Sequence, residues 1–247
     1  MEPESIIAIS NLSKAFDGKS VLEEISLQLN PGENLVVLGK SGAGKTVLLK
    51  CMVGLLTPDK GDIRVFDTDV IKCTHAALDE VRTRIGYVFQ QGALYDSISL
   101  RENMLFPLMR NARFFKTPVE EMEQRIKANL RSVGLLDAMN KMPAELSGGM
   151  KKRAGLARAL MLSPEIMLYD EPTAGLDPFM AQEISDLILT VQREQGTASI
   201  IVTHDMKCAR IVSDRICILY QGNFIAEGSY KDFERSRDPR VSMFFTT

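Results

Sequence analysis

The sequence lacks any apolar run long enough to cross a membrane as a helix. Such a span needs about 18 consecutive apolar residues, and no stretch of the 247 residues reaches that length. Residues 1–5 also lack the basic and apolar segments of a signal peptide. We therefore expect any membrane association to be peripheral, through partner subunits or surface contact.

Basic residues are not in excess either. The chain has 30 Lys and Arg against 32 Asp and Glu, which gives a net charge of −2. A general nucleic-acid-binding protein usually carries a basic excess, because contacts with phosphates supply most of its affinity. The charge balance therefore argues against a nucleic-acid partner. The hydrophobic content of 45% is ordinary for a soluble globular chain.

Cysteine and histidine are scarce and scattered. The four cysteines form no Cys-x-x-Cys pair, and only two histidines exist to join them, so a zinc site is not expected. The same scatter argues against a disulfide framework, so a reducing cytosol is the expected location.

Nearly continuous apolar runs predict the core of the fold. They cover residues 35–38, 166–169, 199–202 and 216–220. Strands buried on both faces of a parallel sheet have this pattern, and helical patterns after the middle two runs favour a doubly wound α/β core. Residues 25–29 alternate apolar and polar and, with residues 62–66, predict a small antiparallel sheet beside that core.

The segment from about 97 to 162 contains no convincing strand. Residues 99–102 and 117–120 both fit a capping box at the start of a helix, and Pro118 falls where a first-turn proline is tolerated. Apolar residues then recur with a period of about 3.6 until Gly134, which suits a helix C-cap. We interpret the segment as a helical subdomain inserted into the α/β core.

A glycine-rich motif follows the first apolar run and precedes a helical pattern. It fits G-x-x-x-x-G-K-[ST] in full, in the context that the motif requires. The nucleotide-binding residues that it predicts are Gly39, Lys40, Ser41, Gly42, Ala43, Gly44, Lys45, Thr46 and Val47. Such a loop turns backbone N–H groups around phosphates at the positive end of a helix. We expect Lys45 to reach the β- and γ-phosphates and Thr46 to bind Mg²⁺; a plain glycine-rich turn is the alternative.

Two acidic residues end the apolar run 166–169. A carboxylate at the tip of a buried parallel strand points to the edge of the sheet where ligands bind. We expect Asp170 to hold Mg²⁺ directly or through water, and Glu171 to orient or deprotonate the attacking water. Two solvated acids at a strand end are the alternative.

A second potential anion site lies before the helical run 150–162. Ser147 fits an N-cap, and Gly148 and Gly149 leave the N–H groups of a positive helix end accessible. An ordinary capped helix explains the same residues. Leu146-Ser147-Gly148-Gly149, however, resembles the signature motif of the ATPases of ABC transporters, and the other motifs of that family follow in the right order over residues 6–228.

The resemblance implies the fold and further site residues. The expected fold is a P-loop, RecA-like α/β core of parallel strands with a small antiparallel β subdomain and an inserted helical subdomain. The expected divisions are core and β subdomain 1–92, helical subdomain 93–163, second part of the core 164–228 and C-terminal tail 229–247, all within one ABC ATPase domain.

Four further residues take roles from the resemblance. Phe16 would stack on adenine, Gln90 would be the Q-loop glutamine that touches Mg²⁺ or the attacking water, and His204 would contact the γ-phosphate. Asp177 would belong to the D-loop that links two nucleotide sites. Each has a structural alternative: Phe16 as a core aromatic, Asp177 as a helix cap, His204 as a structural histidine, and the adjacent Gln91 in place of Gln90.

Family members work in pairs, with ATP between the phosphate loop of one subunit and the signature serine of the other. The resemblance therefore implies a second ATPase copy, expected as a homodimer, together with multi-span permease subunits.

The sequence departs from the family motifs at two places. Met150 stands where the signature usually has Gln, and Ala174-Gly175 stands where the D-loop commonly has Ser-Ala. We expect activity to survive both.

A narrower resemblance concerns the lipid transporters of the Mce/Mla type. It is carried by residues 146–160 (LSGGMKKRAGLARAL), by 86–90, by Asn103 and by the tail residues 238–241 and 244–245. It implies transport of phospholipid or related lipid between bacterial envelope membranes, with an Mce-domain lipid-binding protein as a further partner. The chain would then lie at the cytoplasmic face of the inner membrane, and its tail would either pack on its own domain or dock on the partner ATPase.

Other functions fit the same motifs. The ATPase of an importer for amino acids or other small polar solutes would share every nucleotide-binding residue, because the solute contacts lie on other chains. A soluble nucleic-acid- or ribosome-associated ABC protein commonly fuses two motif sets or inserts a long coiled coil, and this chain has neither. A nucleotide-binding scaffold without turnover is disfavoured by the presence of Lys45, Asp170, Glu171 and His204.

Overall fold

The computed structural model describes residues 5–245. Its strands are β1 Ile7–Phe16, β2 Lys19–Leu29, β3 Asn34–Leu38, β4 Lys60–Val65, β5 Thr68–Asp69, β6 Ile85–Val88, β7 Ile166–Asp170, β8 Ala198–Thr203, β9 Arg215–Tyr220 and β10 Asn223–Gly228. Its α-helices are α1 Lys45–Met52, α2 His75–Thr83, α3 Leu100–Arg110, α4 Val119–Ser132, α5 Gly148–Ala159, α6 Pro178–Gln195, α7 Met206–Val212, α8 Tyr230–Glu234 and α9 Pro239–Ser242. Within those residues, no helix is both long and apolar enough to cross a membrane.

The larger sheet has the strand order β10-β9-β3-β8-β7-β6. All neighbouring pairs are parallel except β10 and β9. The four apolar runs form β3, β7, β8 and β9, and β3, β7 and β8 are buried along their whole length. The parallel pairing and the burial confirm the predicted parallel core, since strands covered on both faces favour nearly continuous apolar sequence. The carboxyl ends of β3, β7 and β8 consequently meet at one edge of the sheet.

The smaller sheet is antiparallel, with the order β2-β1-β4-β5. The predicted strands 25–29 and 62–66 lie in β2 and β4. The long strand β1 lies between them and was not recognised in the sequence. Its register shifts between Ile9 and Leu12 and again near Lys14, and Asn11 has a φ of 50°. Such bulges break the alternation of apolar and polar residues from which a strand is read.

Helices α3, α4 and α5 enclose an apolar cluster of their own. The capping box at the start of α3 is confirmed: Ser99 N donates to Glu102 Oε2 at 2.8 Å, and Glu102 N donates to Ser99 Oγ at 3.3 Å. The second capping box is wrong. Pro118 itself occupies the N-cap of α4, so Thr117 lies one residue too early to reach the N–H groups of the first turn.

The tail returns to the core. Helices α8 and α9 place Phe233, Val241 and Phe244 in the cluster that covers one face of the large sheet, and Val241 and Phe244 are 2% and 8% exposed. The tail therefore packs on its own domain up to residue 245, and docking on a partner ATPase stays a prediction; residues 246–247 lie outside the described part of the chain.

Candidate ATP-binding and hydrolysis site

The glycine-rich motif forms the turn between β3 and α1. Gly44 ends this turn with a φ of 101°, and a Cβ there would lie 2.8 Å from the carbonyl oxygen of Val21. Only glycine fits, because side chains strain in this left-handed region and the backbone of β2 cannot move aside. The turn thereby delivers the first residues of α1 to the carboxyl edge of the sheet, where a helix N-terminus favours phosphate.

Lys45 is the first residue of α1 and is 5% exposed. Its Nζ donates to the carbonyl oxygens of Gly39 and Lys40 at 2.7 and 3.1 Å. The same atom lies 2.9 Å from Oε1 of Glu171. A lysine buried to this degree is stable as a charged group only with such partners, so its ammonium is fixed inside the loop.

Asp170 ends β7 opposite the start of α1. Its Oδ1 accepts a hydrogen bond from Thr46 Oγ1 at 2.9 Å, and its side chain is almost wholly buried. Burial raises the pKa of Asp170. The hydrogen bond from Thr46 lowers this pKa, and the negative charge of Glu171 raises it further. A cation beside the carboxylate would offset that cost of burial. A carboxylate and a hydroxyl at this distance are hard oxygen ligands of the kind that Mg²⁺ prefers, and they fit this ion.

Glu171 lies between two cationic or ionisable groups. Its Oε1 faces Lys45, while its Oε2 lies 2.8 Å from Nδ1 of His204 and accepts from the backbone N–H of His204 at 3.3 Å. Thr203 Oγ1 also lies 3.4 Å from Oε2. These contacts join the ends of β7 and β8, and they hold the Glu171 carboxylate at the sheet edge, facing the glycine-rich turn.

A cavity of about 290 Å³ opens in front of these groups. It is lined by Val21, Ser41, Gly42, Gly44, Lys45, Thr46, Val47, Gln90, Glu171 and His204. Apart from Val21 of β2, every lining residue belongs to the predicted site. Gln90 lines the cavity and Gln91 does not, which agrees with the choice of Gln90.

A comparison with known families and proteins identifies the chain. The family model described as "ABC transporter" matches residues 22–174, more than half of the sequence. The chain belongs to the ABC transporter family. It is therefore an ATPase that binds and hydrolyses ATP.

Relatives and solved structures agree with the family. The "Probable ribonucleotide transport ATP-binding protein mkl" of Mycobacterium leprae is 40% identical over 238 residues, 96% of this chain and 68% of that protein. The "Intermembrane phospholipid transport system ATP-binding protein MlaF" of Haemophilus influenzae is 35% identical over 98% of this chain and 90% of its own length. The ATP-binding cassette MJ0796, solved as a dimer in a post-hydrolysis state bound to ADP and Pi, superposes with a TM-score of 0.82 at 29% identity, covering 90% of this chain and 98% of that one.

The signature of this ABC ATPase lies away from the cavity of its own chain. Ser147 and Gly148 are exposed at the start of α5, and neither they nor Gly149 lines the cavity. Ser147 is the N-cap predicted from the sequence, since its Oγ accepts from Met150 N at 3.3 Å. The fold therefore brings the phosphate loop, Asp170, Glu171, Gln90 and His204 together, and leaves the signature on another surface.

Two other predicted residues lie outside the cavity. Phe16 ends β1 with 41% of its surface exposed, so the alternative of a core aromatic is wrong. Asp59 accepts from the N–H of the preceding Ala15 at 2.6 Å and so fixes this strand end. Asp177 caps α6, where its Oδ1 accepts from the N–H groups of Phe179 and Met180, each at 3.0 Å. Its capping role is thus established, and it is exposed.

The departure at the signature lies in an apolar environment. Met150 is partly buried against the apolar cluster of the helical segment, where its thioether packs without needing a hydrogen-bond partner. Two residues on, Lys152 is buried on the core-facing side of α5, and its Nζ donates to the backbone oxygen of Glu171 at 3.0 Å. Sequence reasoning missed Lys152 because it stands in the run Lys151-Lys152-Arg153. The helical spacing of Lys152 to the buried Leu156 is the signal that could have found it.

Proposed function

We propose that ATP hydrolysis by this chain drives the transport of phospholipid or a related lipid through membrane subunits of a bacterial envelope. The observation that carries the proposal is the likeness to MlaF, whose name is that of a phospholipid transport ATPase, over nearly the whole of both chains. A chloroplastic relative from Arabidopsis thaliana, named for the lipid trigalactosyldiacylglycerol, is 36% identical over 99% of this chain.

In this proposal the phosphate loop binds the triphosphate and Lys45 moves from Glu171 to the β- and γ-phosphates. The freed Glu171 carboxylate accepts a proton from water while the water oxygen attacks the γ-phosphorus, and the bond to the β–γ bridging oxygen breaks to give ADP and phosphate. His204 holds the carboxylate at Oε2 and is exposed enough to donate to the γ-phosphate.

Thr46 and Asp170 would hold Mg²⁺, with Gln90 at the mouth of the cavity as a further ligand. When bound, the ion neutralises charge on the phosphate oxygens. Within residues 5–245, no cluster of three His, Cys, Asp or Glu side chains offers another metal site. Thr46 and Asp170 are therefore the residues to change in a test of metal dependence.

The exposed signature supports a site shared between two chains. Ser147 and Gly148 present a helix N-terminus to solvent, and such an end binds phosphate when a ligand is brought to it. We propose that a second copy supplies this surface to the ATP on the first. Phe16 would stack on adenine at the same interface, and Asp177 would lie between the two nucleotides.

We further propose that the chain works with permease subunits and an Mce-domain lipid-binding protein, at the cytoplasmic face of the inner membrane.

The experiment is affinity purification of the native chain from detergent-solubilised membranes, with partners and bound lipid identified by mass spectrometry. The proposal predicts a multi-span permease, an Mce-domain protein and phospholipid. A matched purification of the Lys45→Met variant, which loses nucleotide but not the surface of the domain, should recover the same partners and controls for capture by aggregated protein.

A second candidate function is import of a small polar solute. The "Methionine import ATP-binding protein MetN 4" of Oceanobacillus iheyensis is 35% identical over 97% of this chain and 70% of that protein. Recovery of a soluble solute-binding protein with its permease, and no enriched lipid, would favour this candidate. Recovery of ribosomes or nucleic acid would contradict both.

A further inference from the structure

The buried Lys152 connects helix α5, which begins at the signature, to the backbone of Glu171. Lys152 is 7% exposed on α5, whereas the adjacent Lys151 is only partly buried. Burial lowers the pKa of Lys152, against the charges of Glu171 and Asp170, which raise it. A buried ammonium is costly unless it has a defined partner, and the partner of Lys152 is the carbonyl oxygen of Glu171 at 3.0 Å.

The backbone that Lys152 contacts is unusual. Glu171 has a φ of 49°, a left-handed conformation that residues with a side chain adopt only when their surroundings hold them there. The N–H of Glu171 donates to Val202 O at 2.9 Å, and its carbonyl oxygen accepts from Ala174 N at 3.2 Å as well as from Lys152. Among the residues that the structure describes, Lys152 is the only side chain that donates to this carbonyl.

The direction of the carboxylate depends on this backbone. Because the left-handed turn follows directly on β7, it sends the Glu171 side chain back over the sheet edge, between Lys45 and His204. If the peptide relaxed to a right-handed or extended conformation, the same side chain would leave from a different direction and lose both contacts.

We propose that Lys152 is a positioning residue for hydrolysis: its hydrogen bond to the backbone of Glu171 holds the carboxylate where it meets the attacking water. This inference rests on the proposed role of Glu171. Lys152 does not line the cavity, and its contribution is to the geometry of another residue. A misplacement of about 1 Å at a reacting group can cost about a hundredfold in rate, so the expected effect is on turnover rather than on nucleotide binding.

The test compares Lys152→Met, Lys152→Arg, Lys151→Met and Glu171→Gln in the full chain, purified with its membrane subunits. Steady-state hydrolysis gives kcat and KM for ATP, titration calorimetry gives the affinity for ADP, and thermal unfolding gives Tm. The inference predicts that Lys152→Met lowers kcat about tenfold or more, with ADP affinity within about threefold of wild type. Lys152→Arg, which keeps a donor of similar reach, should recover most of the rate.

Lys151→Met removes the same charge from the same helix and should hydrolyse ATP as wild type does. The inference is overturned if Lys152→Met keeps kcat within twofold of wild type, or if its ADP affinity and Tm fall in step with kcat, as for a purely structural residue. Undiminished hydrolysis by Glu171→Gln would instead overturn the proposed role of Glu171. If Glu171→Gln loses hydrolysis while Lys152→Met keeps the wild-type rate, the role of Lys152 is overturned and that of Glu171 is not.

Discussion

Lys45 and Glu171, which lie far apart in the sequence, form an ion pair of 2.9 Å at the end of the parallel sheet. The pair links the start of α1 to the turn after β7, with both side chains nearly buried. In the proposed mechanism the Lys45 ammonium would leave this carboxylate to reach phosphate, and the Glu171 carboxylate would then be free to accept a proton. Phosphate binding and activation of water would therefore share one contact.

Two variants, one in the phosphate loop and one in the signature, should together reveal whether a second chain completes the site. Lys45→Met keeps the length of the side chain and removes the ammonium, so we expect ATP affinity to fall at least tenfold and hydrolysis to be lost. Ser147→Arg should also lose hydrolysis, although Ser147 is exposed and lies outside the cavity of its own chain. The affinity of the isolated Ser147→Arg chain for ADP should be the same as that of wild type.

Mixing the two variants provides the decisive readout. In a mixed dimer, one composite site carries both changes and the other carries neither, so ATPase activity should rise above that of either variant alone. Each variant mixed with itself is the control. An inactive mixture in which mixed dimers are demonstrably present would contradict a site shared between the phosphate loop and the signature.

The bidentate pair of Arg215 and Glu33 should stabilise the fold in a pH-dependent way. Arg215 donates to the two carboxylate oxygens of Glu33 at 2.6 and 2.9 Å. Burial alone would raise the pKa of Glu33, but the hydrogen bonds from Arg215 and Asn30 outweigh it and lower that pKa below the usual 4.5. Because the folded-state pKa is depressed, the stabilisation is present above about pH 4.5 and is lost as the pH falls through the folded-state value.

We expect Glu33→Gln to lower the free energy of unfolding by about 1–2 kcal/mol at pH 7, with a smaller difference below pH 4.5. Urea unfolding at both pH values measures this. Lys72→Met is the control, because Lys72 is 69% exposed and its ion pairs with Asp62 and Asp69 lie at the surface, where such pairs contribute little. A difference for Glu33→Gln that grows on acidification would contradict the assignment.

The tail should contribute to stability through its aromatic residue in the core. Phe244→Ala removes a ring that is 8% exposed and belongs to the apolar cluster on one face of the large sheet, and we expect a loss of about 3 kcal/mol in the free energy of unfolding. Phe115→Ala makes the same chemical change at a ring that is 69% exposed and should cost less than about 0.5 kcal/mol. Equal losses for the two variants would show that the tail is not part of this core.

Much of the fold could be predicted because the buried parallel strands carry a signal that depends on local sequence alone. The runs that became β3, β7, β8 and β9 are apolar except at Ser199, and the glycine-rich motif lies at the kind of turn that suits it. The cap at Ser99 was equally local. By contrast, β1 was missed because its bulges break the alternation, and the cap at Thr117 was wrong because Pro118 takes the N-cap position.

Most residues that line the candidate cavity could be named from the sequence, but their geometry could not. Glu171 could be placed at a strand end, yet its left-handed backbone and its contact with Lys152 arise only when α5 packs against the turn after β7. The exposure of Phe16 likewise depends on how β1 ends beside Asp59, about 40 residues away in the chain. Such contacts between distant segments leave no periodicity in the sequence, so local patterns could not reveal them.

The most direct test of the account is the rate of ATP hydrolysis by the Glu171→Gln variant of the full chain with its membrane subunits. The amide keeps the size of the side chain but cannot take a proton from water, so turnover should fall about a hundredfold or more while ADP affinity stays within a few-fold of wild type. Glu194→Gln, at an exposed position on α6, should hydrolyse ATP at the wild-type rate. If Glu171→Gln and wild type hydrolyse ATP at the same rate, Glu171 is not the base and the mechanism is wrong.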